Sequence, residues 1–114
     1  MPHIVIEHSK GMEPNIAKRD FFTSFIEILV INSDFERESI KVRSISFESF
    51  LGAQDHFVHV NVKMLSGRTL EQKDQISYAV GEFLKAAFVK IESLSITVEV
   101  TEIEKRSYFK SVSK

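Results

Sequence analysis

Val58, Val60, Val62 and Met64 stand at strict two-residue spacing, with Phe57, His59, Asn61 and Lys63 between them. Side chains of an extended backbone alternate between two faces, so this spacing places all four apolar groups on one side of a strand covering "HFVHVNVKML". "LSITVEV" repeats the device with Leu94, Ile96, Val98 and Val100. At the start of the chain, Ile4 and Ile6 oppose His3, Val5 and Glu7 across residues 2–8. A less regular strand is expected where Ile40 and Val42 stand beside Arg43, Ile45 and Phe47.

Between the strands the period changes. After the turn-forming "SKGMEP", Phe22, Phe25, Ile26 and Leu29 recur at helical intervals from about Asn15 to Asn32, with Ile16 leading in. Further on, "SGR" interrupts the chain and Thr69 and Gln72 form a capping-box pattern. The helix it opens carries an apolar stripe of Ile76, Val80, Phe83, Leu84, Ala87 and Phe88, and Gly81 lowers its propensity. The order is β-α-β twice, in halves of about 1–55 and 56–114 of a single domain, 1–114. The expected class is α+β, a four-stranded sheet with two helices on one face. The opposite sheet face is then uncovered, and the valine-rich strands lead us to expect an oligomer that buries it. The ten phenylalanines are expected mostly in the core. The polar tail "KRSYFKSVSK" offers Tyr108 and Phe109 as anchors.

Composition removes several functions. Fifteen Lys and Arg balance sixteen Asp and Glu, so no global field draws the chain to nucleic acid or an anionic membrane, and a basic site must be local. The absence of cysteine excludes disulfide scaffolds, thiol nucleophiles and cysteine-ligated metals. No leader pattern opens the chain, and no apolar run approaches the roughly 20 residues that span a bilayer, so a cytoplasmic protein is expected. GxGxxG, P-loop, GxSxG and HExxH patterns are missing. His56 and His59 fall on opposite faces of one strand, as do His3 and His8, so no metal is expected; these read as polar surface or sheet-edge histidines.

Four residues stand out as candidates. Arg68 follows Gly67 in a strand-to-helix turn, near the positive end of the second helix, where its guanidinium fork could grip a carboxylate; a solvated surface arginine is the alternative. Arg43 is flanked by apolar neighbours in a strand, an unusual place for a purely solvating charge. Phe57 can line a cleft or simply pack. Pro2 becomes the chain end if the initiator methionine is removed, and its secondary amine then titrates in an accessible range. Burial and neighbouring arginines lower that pKa and suit the amine to general base and acid work. With Met1 retained, the same nitrogen is a non-basic amide.

"MPHIVIEHS", "VRS", "FVHVNVKM" and "GRTLEQ", in this order and spacing, resemble 5-carboxymethyl-2-hydroxymuconate isomerase, of the tautomerase superfamily that includes 4-oxalocrotonate tautomerase and macrophage migration inhibitory factor. The resemblance implies a homotrimer of β-α-β-β-α-β subunits and a cofactor-free site around an amino-terminal proline. On it, Pro2 shuttles a proton from the dienol oxygen to a vinylogous carbon, while Arg43 and Arg68 hold carboxylates. The implied substrate is an unsaturated carboxylated 2-hydroxy acid from aromatic-ring breakdown. Ile45 stands where better-known members carry a second arginine, which bears on substrate identity.

The expectation is therefore a trimeric tautomerase using Pro2, with Arg43, Arg68 and Phe57 binding a small carboxylated dienol. The alternatives are a non-catalytic carboxylate-binding or interaction protein on the same scaffold, and a hydratase or decarboxylase of the same fold.

Overall fold

The computed structural model describes residues 1–16 and 19–114. Strand β1 (His3–Ser9) leads through a short helix α1 (Glu13–Ile16) to helix α2 (Arg19–Ile31), and β2 (Lys41–Phe47) follows. The second half comprises β3 (His56–Leu65), α3 (Leu70–Ala87) and β4 (Leu94–Ile103), with a final 3-10 turn at Lys105–Ser107. The helix expected from Asn15 to Asn32 is thus two elements; residues 17 and 18 of that span lie outside the described residues.

The strands lie in the order β2-β1-β3-β4. Each β-α-β half forms a parallel pair, and the halves join through antiparallel β1 and β3. The register sets Ile4 opposite Val62 and Ile6 opposite Val60, so both apolar rows share one face. Val60 in turn pairs with Val98, and Val62 with Val100. Val58, Val60, Val62 and Met64 are fully buried there under α2 and α3. Each such side chain contributes roughly 1.5–3 kcal/mol by leaving water.

The helices meet through aromatic rings. Phe25, fully buried, contacts Phe83 at a centroid separation of 5.2 Å, and Phe21 touches Phe83 and Phe88. In α3, Ile76, Val80 and Leu84 form the buried stripe, whereas Ala87 is exposed and Phe83 half-buried. The capping box at its start is present: the Thr69 hydroxyl accepts from the Gln72 amide (3.1 Å) and the Gln72 side chain accepts from the Thr69 amide (2.8 Å).

The valine rows face the helices, so they do not supply the apolar character expected of the uncovered side. The open face instead carries His3, Arg43, Phe57, His59, Asn61 and Lys63, with hydrogen bonds linking neighbouring strands. His59 lies 2.7 Å from Thr97 Oγ1 and 2.6 Å from Glu99 Oε2, and Thr101 donates to Asn61 Oδ1. An apolar patch remains at one corner, where Ile45, Phe47, Phe50 and Leu51 are exposed. His8 departs from the surface role expected of the histidines, being buried with its Nδ1 donating to the Ser9 carbonyl. Among the described residues no helix is long and apolar enough to cross a membrane.

Phe25→Ala is expected to lower unfolding free energy by about 3–5 kcal/mol, and Thr69→Ala by about 1 kcal/mol, in urea titrations at fixed protein concentration.

Candidate functional site

The register brings a cluster of cations to the start of the chain. His3 pairs with Lys41 on one side and Lys63 on the other, and Val5 pairs with Arg43. Paired residues share a face, so Lys41, His3 and Lys63 form one row on the open side and Arg43 belongs to the next. Pro2 is buried, and its carbonyl accepts from the Lys41 amide at 3.1 Å. The tail returns to the same corner: the Tyr108 hydroxyl lies 3.0 Å from His3 Nε2 and donates to Met1 Sδ at 2.8 Å.

Two pKa shifts register this environment. Burial holds the Met1 amine below its ordinary value of 8.0, helped by Lys110, Lys41 and Arg68 and opposed by Glu36. Burial likewise lowers His3 from 6.5, and Arg43, Lys41, the chain-end amine and Lys63 add to the effect. Positive charge disfavours further protonation, so the imidazole and the amine are both biased toward their neutral forms.

Arg43 donates from Nη1 to His3 Nδ1 at 3.1 Å, which directs its guanidinium toward the chain start. Gly67, at φ 123°, makes the turn that presents Arg68, and a Cβ there would come within 3.3 Å of Lys105 Nζ. Arg68 acts on the chain-end amine, but Asp34 holds its fork: Nε and Nη2 donate to Oδ1 at 3.0 and 2.7 Å. Its guanidinium also lies 4.6 Å over the Phe35 ring. Beside this pair is a cavity of about 290 Å³ lined by Asp34, Arg68, Gln72 and Gln75 among others.

The structure therefore gathers Pro2, Arg43 and Arg68 around one corner of the chain, and Phe57 is not among them. Phe57 donates its amide to Ser9 Oγ at the far end of β1, about 20 Å along the strand by its per-residue rise. There it packs on Phe47 and Phe50, with centroids 6.1 and 4.9 Å away, beside a cavity of about 310 Å³.

Sequence reasoning did not single out Lys41, Lys110, His3 or Tyr108 as parts of this corner. Lys41 was accessible in principle, because alternation in β2 puts it on the same face as Arg43. Nothing periodic in the tail marked Lys110 or Tyr108, whose positions depend on how residues 104–110 fold back.

The family described as 5-carboxymethyl-2-hydroxymuconate isomerase matches residues 2–113. Among solved structures, a 5-carboxymethyl-2-hydroxymuconate isomerase from Deinococcus radiodurans R1 is similar with a TM-score of 0.83 and 21% identity, over 98% of this chain and 90% of the other. A 5-carboxymethyl-2-hydroxymuconate delta-isomerase gives 0.82 at 12% identity, over 99% of this chain and 89% of that one. A fused 4-OT wild-type symmetric trimer gives 0.71 at 17% identity, over 90% and 86% of the two chains. Comparison with curated proteins finds no match. At these identities the structural likenesses establish a shared fold.

His3 is expected to titrate below 6.5 in a proton NMR pH series, and Arg43→Gln to raise its midpoint. Because folding lowers this pKa, stability associated with the group falls as pH drops below 6.5 and levels off below the folded-state value. Urea midpoints across that range should follow this sign, and replacing His3 with Gln should flatten it.

Proposed function

Because the chain belongs to the 5-carboxymethyl-2-hydroxymuconate isomerase family, we propose that it is a cofactor-free tautomerase that ketonises an unsaturated, carboxylated 2-hydroxy acid with Pro2 as base and acid. The observation that carries this reading is the burial of Pro2 at a chain start where burial, aided by Lys110, Lys41 and Arg68, lowers the pKa of the terminal amine. Excision of Met1 moves that amine to Pro2, one residue along, where Lys41, Lys110 and Arg68 remain its neighbours. A neutral cyclic amine takes the proton from the 2-hydroxyl of the dienol. It returns that proton to the distal carbon of the conjugated system, leaving a ketone of unchanged mass.

Carboxylates on the substrate account for the charge of the site. Arg43 has only His3 as a hydrogen-bond partner among the described residues, which leaves most of its donors for a substrate carboxylate. Arg68 supplies a second contact when the substrate competes with Asp34. The proposed assembly is a homotrimer. The exposed apolar corner at Ile45, Phe47, Phe50 and Leu51 and the open sheet face support it, as does the symmetric trimer among the structural neighbours. Phe57 joins the site on this reading only where a neighbouring subunit meets the Pro2 corner. A cytoplasmic, soluble setting accompanies the proposal.

The engagement of Arg68 by Asp34 favours a second reading, a non-catalytic carboxylate-binding protein on the same scaffold. Carboxylate binding without turnover by protein of verified mass lacking Met1 would establish it.

Pro2→Ala is expected to reduce ketonisation of 5-carboxymethyl-2-hydroxymuconate, followed by ultraviolet absorbance, by roughly 10²–10⁴-fold without changing the assembly mass. Unchanged turnover would remove the proline from the mechanism. Asp34→Asn is expected to lower KM by up to about fivefold with little effect on kcat, since one exposed ion pair competes with substrate.

A further inference from the structure

The hydrogen bonds at the chain start have a fixed polarity. A guanidinium only donates, so His3 Nδ1 must accept from Arg43 across their 3.1 Å contact. A neutral imidazole that accepts at Nδ1 carries its proton on Nε2. That Nε2–H therefore donates to the Tyr108 oxygen 3.0 Å away. With its oxygen accepting from His3, the phenol points its own proton elsewhere, and it meets Met1 Sδ at 2.8 Å. Arg43, His3 and Tyr108 thus form a directed relay whose last donor ends on the methionine side chain.

Tyr108 touches the residues on both sides of Pro2 in the chain. Once Met1 is excised, its sulfur no longer accepts, and a half-buried donor is left aimed into the space beside the new chain end. As Pro2 withdraws the proton from the 2-hydroxyl, negative charge grows on that oxygen. A donor that contacts the residues flanking Pro2 is placed to reach the same atom, where its bond strengthens as charge develops.

We propose that Tyr108 is a catalytic hydrogen-bond donor to the substrate's 2-oxygen, with His3 and Arg43 as the residues that orient it. This rests on the Pro2 tautomerase reading. The phenol keeps its proton throughout; the transferred proton travels only from substrate oxygen to Pro2 and on to carbon. Lowering of the His3 pKa by its surroundings supports the polarity, since an imidazolium would donate from both nitrogens and could not accept from Arg43. The 3-10 turn at Lys105–Ser107, where Glu104 accepts from the Arg106 amide, brings the tyrosine back to the sheet.

The test compares full-length protein lacking Met1, verified by mass, with its Tyr108→Phe, His3→Ala, His3→Gln and Pro2→Ala variants, using 5-carboxymethyl-2-hydroxymuconate. Phenylalanine retains the ring that packs edge-on to His3 at 6.2 Å and removes only the hydroxyl. Tyr108→Phe is expected to lower kcat roughly 10- to 100-fold with KM within about twofold, and to leave binding of adipate, a saturated dicarboxylate, unchanged. His3→Ala should lower kcat in the same direction. His3→Gln, whose amide can donate to Tyr108, should recover most of that loss. Full kcat in Tyr108→Phe, or a loss confined to KM and shared by adipate, overturns the assignment. If Tyr108→Phe fails to fold, equal losses in the two His3 variants overturn it instead. Failure of the underlying reading looks different: wild-type protein would not turn over, or Pro2→Ala would match it.

Discussion

The antiparallel seam between β1 and β3 is the constraint on which the rest of the structure depends. It joins two β-α-β halves that would each leave an apolar row exposed alone. Its register sets Ile4 and Ile6 beside Val62 and Val60 under both helices. A slip of one residue would turn the valine row to the open face and bring His59 and Lys63 beneath Phe25 and Leu84. Burying the Lys63 charge and the polar His59 ring would cost far more than any local propensity returns, so the seam has one workable register.

That register also builds the candidate site. Pairing His3 with Lys41 and Lys63 is a consequence of where the apolar rows match, and it crowds positive charge around the start of β1. Burial of the chain end, together with this charge, lowers the pKa of the amine there. On the proposed reading the same cations suit substrate carboxylates, so that one electrostatic arrangement would serve base and substrate together. Asp34 tempers it by holding the Arg68 fork.

Fold and site were legible in the sequence to different degrees. Period-two alternation identified the strands, and Thr69 with Gln72 announced the start of α3, because both are local signals expressed within a few residues. The division of the first helical region and the burial of His8 carried no such signal. The valines were expected to contribute to an uncovered face because alternation tells which residues share a side but not which side the helices choose. In the same way, Arg68 was legible as a turn arginine, whereas its pairing with Asp34 joins positions 34 residues apart.

By itself, the sequence determined the element types and the twofold β-α-β order and marked Pro2, Arg43 and Arg68 as candidates, because these follow from spacing and side-chain type. Tertiary structure decided which face of the sheet is covered and that Phe57 lies at the opposite end of β1 from Pro2. It also decided that Tyr108 returns from the tail to touch Met1 and His3. Such contacts join positions more than a hundred residues apart, and only the packing that closes the sheet against its helices brings them within hydrogen-bonding distance.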